Sequence, residues 1–379
     1  MKTIQYLLIA AMLPLAFGCQ QEQADGEAGA TDTPAATLAD AYADHFYVGA
    51  ALAVEHFTGE NERGAALVRE QFNTITPENI MKWMHIHPAA DSFAFELPDQ
   101  FVAFGEANDM HLVGHTLVWH SQLAPWVQEV TDSAGMDAVL QDHIGTIVGR
   151  YRGRINGWDV VNEALNEDGS LRETIFLNTM GEGYLKRAFD LAAAADPEAE
   201  LYYNDYNLCQ PAKRAGCIEM IKRLQAAGAK IDGVGIQAHF SMNGPSLEEV
   251  EKSITEFAAL GLKVMLTELD ITVLPAPWDV QGADVNRTAE GSDFMNPYAA
   301  GLPDSVAVAQ AERYEGLFRL LLDHEDVISR VTFWGVDDGH SWKNNWPIPG
   351  RTDYTLIFDR NQAPKMAYDS IMMLKRVDP

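Results

Sequence analysis

From about residue 45 the chain alternates short apolar, β-rich runs with longer stretches of helical pattern, and it does so eight times. The strand-like runs are 46–52 (FYVGAAL), 72–79 (FNTITPEN), 112–119 (LVGHTLVW) and 155–163 (INGWDVVNE), then 200–207 (ELYYNDYN), 233–240 (GVGIQAHF), 263–270 (KVMLTELD) and 328–336 (ISRVTFWGV). Helical stretches such as GEGYLKRAFDLAAAAD and AKRAGCIEMIKRLQAAG stand between them, the second stopping at Gly228. Eight strand–helix units over roughly 330 residues are the count and length of a single-domain α/β protein of the (β/α)₈, or TIM-barrel, type. A doubly wound open sheet is the alternative, but its phosphate-binding turn G-x-G-x-x-G is missing after the first run, which reads GAALAVEHFTG.

A second regularity lies in where each run turns polar. The runs begin apolar and end in TPEN, HTLVWH, NE, NDYN, QAHF, TELD and WGVDD. In a barrel the C-terminal strand ends converge on one mouth, where active sites are built. Loops are polar in any protein, so one such ending means little. The choice of Glu, Asn, His, Gln, Asp and Trp, with few Lys, Ser or Thr, describes a rim that can bind hydroxyls and carry out carboxylate chemistry. Glu163 ends the fourth run and Glu268 lies near the end of the seventh, so a closed ring turns both toward the same mouth. Two carboxylates across a cleft are the apparatus of glycoside hydrolysis: one protonates the leaving oxygen, the other attacks the anomeric carbon or activates water. Two glutamates held in structural ion pairs are the plain alternative.

Taken together and in order, TPENIMKW, GHTLVWHSQ, WDVVNEA, GIQAHF, TELD and TFWGVDDGHSW resemble the family 10 glycoside hydrolases, the endo-β-1,4-xylanases. The similarity runs from about residue 40 to the end, and the late stretch NNWPIPGRTDYTLIFDRNQAPKMAY resembles bacterial members. The resemblance implies internal cleavage of xylan and xylo-oligosaccharides with retention, by a monomer using neither metal nor organic cofactor. It implies that Glu163 is the acid/base and Glu268 the nucleophile. His239 would donate to Glu268, with Asp270 holding the other ring nitrogen, and Asn162 would face the 2-hydroxyl beside the scissile bond. Glu78, Asn79, Lys82, His115 and Trp119 match residues that hold sugars on the non-reducing side. Gln237 matches a hydrogen-bonding position at the centre, Tyr206 a stacking residue on the leaving-group side, and Trp334 and Trp342 an aromatic ceiling and wall. Trp158, inside its run, reads as core. The stretch 271–305 is long for a loop, which points to function or disorder, and DDGHSWKNNW is more polar than many relatives there. A cellulase or mixed-linkage glucanase, and a non-catalytic glycan-capturing lipoprotein, are the rival readings.

The first 37 residues differ in kind. Met1-Lys2, an apolar run from Ile4 to Phe17, and Gly18 describe an export signal over 1–18, too short for a comfortable membrane span. LAFGC resembles a bacterial lipoprotein box with Cys19 as the lipidated residue, although Ala16 stands where that box favours Leu. Residues 19–37 lack aromatic and large aliphatic side chains after Cys19 and read as a flexible tether, with the catalytic domain spanning 38–379. The expectation is an exported protein at the cell surface or outer membrane, or one released to the periplasm or medium if cleavage is ordinary. Export permits a disulfide between Cys209 and Cys217; two free thiols are the alternative. With 55 Asp and Glu against 27 Lys and Arg, a net charge of −28 argues against nucleic acid as a partner. No C-x-x-C or H-E-x-x-H occurs, and the His85–His87 pair is too thin for a metal site.

Overall fold

The computed structural model describes residues 37–277 and 284–376. The export segment, Cys19 and all of the 19–37 tether except its last residue lie outside the described residues. Thr37 already belongs to a helix: its hydroxyl accepts the Asp40 amide at 3.1 Å, and Asp40 accepts the Thr37 amide in return.

Nine strands form the sheet: β1 (Tyr47–Leu52), β2 (Thr74–Pro77), β3 (His111–Trp119), β4 (Gly157–Asn162), β5 (Glu200–Asp205), β6 (Gly233–Ile236), β7 (His239–Ser241), β8 (Lys263–Thr272) and β9 (Ile328–Phe333). All pair in parallel. The order runs β6-β5-β4-β3-β2-β1-β9-β8-β7, and pairing of Gly233–Ile236 with Lys263–Leu266 joins β6 to β8 and closes the ring. The barrel expected from the eightfold rhythm is therefore present. One run departs from expectation: 233–240 is two strands. It breaks at Gln237-Ala238, where Ala238 takes φ 64, and β7 continues against β8 alone. Alanine gives no signal of a left-handed residue, so the break is invisible in the sequence.

Side-chain parity divides the strands between two environments. One parity (Val48, Ala50, Leu201, Val264 and Val331 among others) joins the main apolar cluster with helix residues such as Leu140, Ile144 and Phe318. The other parity faces the lumen. There only Val113, Tyr202 and Met265 form an apolar group, and the rest is polar. His115 bonds Asp159 at 2.9 Å, Arg330 donates to Thr332 at 3.0 Å, and Thr267 donates to Asn204 at 2.6 Å. Gly235 makes the last contact possible, since a Cβ there would lie 2.3 Å from Asn204 Oδ1. Trp158 is 1% exposed and packs where a Gly114 Cβ would stand, as expected of core. Buried polar groups must be satisfied by one another, and this chain of polar contacts leads up the lumen to the C-terminal mouth.

At that mouth the backbone is unusual. Gln122, Glu163, Asn207 and Ala238 follow the ends of the adjacent strands β3, β4, β5 and β6, and all have positive φ, from 49 to 64. Left-handed backbone costs a residue with a Cβ about 1–2 kcal/mol, and such residues gather where function requires an exact side-chain aim.

Candidate active site

Asn162 is the last residue of β4, and the next residue turns. The left-handed backbone at Glu163, with its amide donating to Asn204 O at 2.9 Å, lifts the carboxylate out of the strand and into the mouth. Arg172 fixes the next peptide by donating to Glu163 O at 3.1 Å. Trp119 Nε1 donates to Glu163 Oε2 at 2.8 Å, and Gln237 Nε2 donates to Oε1 at 3.0 Å. These donors favour the ionised form. Burial, joined by the charge of Asp205, outweighs them and lifts the Glu163 carboxyl to about 7. The displacement corresponds to about 3 kcal/mol against the charged form, enough to keep most of the group protonated in mildly acidic solution.

Glu268, on β8, is buried as deeply and behaves oppositely. Burial pushes it up, but the hydrogen bond from His239, the charges of His115 and His239 and the Asn204 bond together hold it below the usual carboxylate range. His239 Nε2 lies 3.1 Å from Glu268 Oε2, and Nδ1 lies 2.9 Å from Asp270 Oδ2. Burial opposes the charged ring, but the two carboxylates win and raise His239, so an imidazolium donates to both. Trp342 Nε1 donates to Asp270 Oδ2 at 2.7 Å and anchors the far end of this relay. Two buried glutamates with opposed shifts are an acid and an anion set apart by environment.

One cleft is lined by Glu78, Asn79, Lys82, His115, Trp119, Asn162, Gln237, His239, Trp334 and Trp342 together with both glutamates, so twelve of the fourteen candidate residues meet there. Asp270 is fully buried behind His239. Tyr206 does not line the cleft: it is 3% exposed, Lys213 Nζ sits 3.6 Å from its ring centroid, and its hydroxyl accepts from Arg172 at 2.7 Å. The stacking role expected of Tyr206 is corrected accordingly, since a buried cation occupies the ring. Trp119 was expected as a sugar contact, and here its N–H serves Glu163 while it also lines the cleft. Lys82 Nζ donates to Asn79 Oδ1 at 2.9 Å, and burial pushes its pKa down against the pull of Glu78. Asn162 Oδ1 is held by Asn204 Nδ2 at 3.0 Å, leaving its amide nitrogen, 3.3 Å from Glu163 Oε1, as the group that can reach a sugar hydroxyl.

Sequence reasoning missed Asn204. Fully buried at the end of β5, it donates to Asn162 Oδ1 and, at 2.8 Å, to Glu268 Oε1, so one amide ties the neighbour of the acid to the anion. Its place in NDYN, one residue before Asp205, was the available signal. Asp205 is also fully buried, paired with Lys213 at 2.9 Å. The long stretch 271–305 reaches the catalytic cleft itself: Val285 lines it, and Ser121 Oγ donates to Asn286 Oδ1 at 3.2 Å.

The Cys209–Cys217 bridge is corrected: both thiols are free and buried. Cys217 lies within the helix Pro211–Ala226 and feels Asp205 and Lys213, whereas Cys209 precedes that helix beside Ser253 and Arg214, where burial pushes it up to about 12. Among the described residues, His56, Asp337 and His340 have possible metal-ligand atoms within 4.8 Å of one another. His56 Nδ1 accepts the Ala53 amide at 3.2 Å, so the neutral ring carries its proton on Nε2 and has no lone pair there for a cation. His85 is exposed while His87 is buried, so that pair shares no site.

The opposed shifts predict a bell-shaped dependence of kcat/KM on pH. Activity requires Glu163 protonated and is lost as pH rises through about 7; it requires Glu268 ionised and is lost below the ordinary carboxylate range. Asp205→Asn removes a charge that raises Glu163 and leaves the Lys213 cation, still paired with Glu167, nearby, so the alkaline limb moves to lower pH while the acid limb stays. A pH–rate profile of the variant with an unmoved alkaline limb would refute this assignment.

The sequence pattern of the family described as glycosyl hydrolase family 10 matches residues 37–374. The chain is 38% identical over 379 residues to endo-1,4-beta-xylanase A of Xylanibacter ruminicola, covering 98% of this chain and 99% of that one. It is 37% identical over 371 residues to a beta-1,4-xylanase of Dictyoglomus thermophilum, covering 97% of each. Among solved structures, a GH10 endoxylanase retrieved from a sugarcane soil metagenome superposes with a TM-score of 0.87 at 44% identity, covering 89% of this chain and 99% of that one.

Proposed function

Because this chain belongs to glycosyl hydrolase family 10, we infer that it is an endo-1,4-β-xylanase, hydrolysing internal β-1,4 bonds of xylan and xylo-oligosaccharides. The observation that carries the chemistry is the division of two buried glutamates into a carboxyl near 7 and a carboxylate held low. We propose that Glu268 attacks the anomeric carbon while Glu163 gives its proton to the departing oxygen. Glu163, then ionised, takes a proton from the water that releases the sugar, and two inversions give net retention. His239 stabilises the Glu268 carboxylate before it attacks and again as it leaves the sugar. Asn162 donates to the 2-hydroxyl, where bonds strengthen as the ring flattens. The aromatic faces of Trp334 and Trp342 suit the C–H faces of a pyranose.

The test is rate and product. Xylan is expected to be cut faster than carboxymethylcellulose, with products first appearing as the β-anomer by NMR. Faster glucan cleavage would make the chain a glucanase, a distinction with some force because one relative, from Thermoclostridium stercorarium, is named a thermostable celloxylanase. First-formed α-anomer would overturn the double displacement.

We propose further that the enzyme is exported and lipid-anchored through Cys19, a reading supported by the leader and the LAFGC box. Unchanged processing in cells treated with globomycin, an inhibitor of lipoprotein signal cleavage, would remove the anchor and leave a released enzyme. A monomer is expected from size-exclusion chromatography with light scattering.

A further inference from the structure

The barrel has another cavity at the end away from the catalytic mouth. About 320 Å³ of open space lies where the strands begin, at the lower end of the range for small-ligand sites. Tyr47, His111, Glu200 and Lys263 are the first residues of β1, β3, β5 and β8, and all four line it. Lys263 opens the strand that carries Glu268, and the rise of that strand places this floor about 17 Å from the nucleophile. The catalytic chemistry makes no use of the cavity.

Its lining has the chemistry of a sugar site. Tyr47 is 45% exposed and is held by stacking on His111, with ring centroids 4.6 Å apart. One face of the phenol rests on the imidazole, so the exposure belongs to the other face and the ring edge. Burial, helped by the charge of Arg330, pushes His111 down to about 4, so the imidazole is neutral. The charges cancel, Lys263 and Arg330 standing against Glu198 and Glu200, in a protein whose net charge is −28. Lys263 is spent on Glu200, which also accepts from the Tyr202 hydroxyl at 2.8 Å. Glu198 is exposed, and its carboxylate has no partner among the described residues. Asn156 Oδ1 takes the Leu112 amide at 2.7 Å, which leaves its NH2 group to donate. Arg330 closes the inner wall. It is 2% exposed, its Nη1 donates to Thr332 at 3.0 Å, and its Nε and Nη2 are buried without partners. Buried donors require acceptors, and a hydroxyl can serve here directly or through water. An exposed ring, an open carboxylate, an amide and unpaired donors, with no net charge, fit a pyranose. Its C–H faces stack, and its hydroxyls both donate and accept.

Resting on the xylanase reading, we propose that this floor pocket is a second, non-catalytic binding site for the xylan backbone, with a xylose ring stacked on Tyr47 and its hydroxyls held by Glu198 and Asn156. The pocket faces away from the cleft, so the stretch of chain it holds is not the stretch being cut. Its effect is to keep the enzyme on the polymer and to raise the concentration of cleavable bonds around the mouth. An oligosaccharide too short to span both sites gains nothing from it.

The experiment has a binding arm and a kinetic arm. Glu268→Ala enzyme, which should not degrade the matrix, is run in gels with and without soluble, neutral arabinoxylan. The polysaccharide is expected to retard it, and adding Tyr47→Ala or Glu198→Ala should weaken the apparent affinity by about three- to tenfold, the worth of one aromatic or hydrogen-bonded contact. The cleft contributes equally to each protein, so the difference reads the floor alone. Salt should leave that difference unchanged, because the ligand carries no charge. With the nucleophile intact, Tyr47→Ala and Glu198→Ala are expected to lose activity on insoluble xylan by a similar factor at low substrate load. Both should match wild type on xylohexaose, which also reports folding, and Tyr47→Trp should keep both activities. Identical retardation with and without the two substitutions would overturn the proposal. So would equal losses on xylan and xylohexaose in Glu198→Ala, whose exposed side chain has no partner to disturb. A difference that salt abolishes would overturn it in favour of a charged ligand. Failure of wild type to cut xylohexaose would refute the xylanase reading itself, an outcome that the binding arm keeps separate.

Discussion

Glu268→Ala should lower xylan hydrolysis by about 10⁵-fold or more, the scale on which loss of a nucleophile acting within a concerted unit is measured. The carboxylate is 5% exposed, accepts from Asn204 and His239, and is held ionised by them. Alanine would leave a small cavity bordered by two donors, the Asn204 amide and the His239 ring, so a small anion should enter it. With an activated aryl xylobioside and azide, the variant is expected to form the α-glycosyl azide, because azide would attack from the face that Glu268 occupies. Retention of full hydrolysis would remove Glu268 from the mechanism. A β-azide would exchange the roles of the two glutamates.

Glu163→Gln carries the second large effect, and its size should depend on the leaving group. Glutamine keeps the shape and an oxygen to accept the Trp119 or Gln237 bond, so folding should survive. Xylan, whose departing sugar is a poor leaving group, is expected to lose about 10²–10⁴-fold, the usual worth of a general acid. A dinitrophenyl xylobioside scarcely needs the proton for its first step but still needs a base for the second. Stopped-flow absorbance should therefore show a burst of dinitrophenol followed by a slow steady state. Equal losses on both substrates, without a burst, would argue that Glu163 binds sugar and moves no proton.

The parts of this molecule that repeat were legible in the sequence, and the parts made by single contacts were not. Eight apolar runs gave the barrel because burial of a strand needs a continuous stretch of Val, Ile, Leu and aromatic residues, which composition displays openly. Glu163 and Glu268 were legible because a carboxylate at the end of such a run has few structural reasons to be there. The break after Ile236 was not, because Ala238 takes a left-handed φ under tertiary constraint. Nor was the double bond made by Asn204, since a strand-end asparagine reads the same whether it meets water or two catalytic neighbours. Tyr206 was misjudged for a related reason. Its partner Lys213 lies seven residues on, in the next helix, and only the fold brings that cation over the ring.

The four left-handed residues at the exits of β3 to β6 also set a limit on how this enzyme can be engineered. Thermostabilising programmes regularise backbone, replacing awkward turns with the residues an ideal barrel would choose. Applied at Gln122, Glu163, Asn207 or Ala238, that policy would relax the bends that bring Glu163, Gln237 and His239 into one mouth. Gains in melting temperature are better sought in the outer helices and at the N-terminal end of the barrel, where backbone irregularity has no carboxylate to aim. The catalytic rim is the section of the blueprint to be copied unchanged.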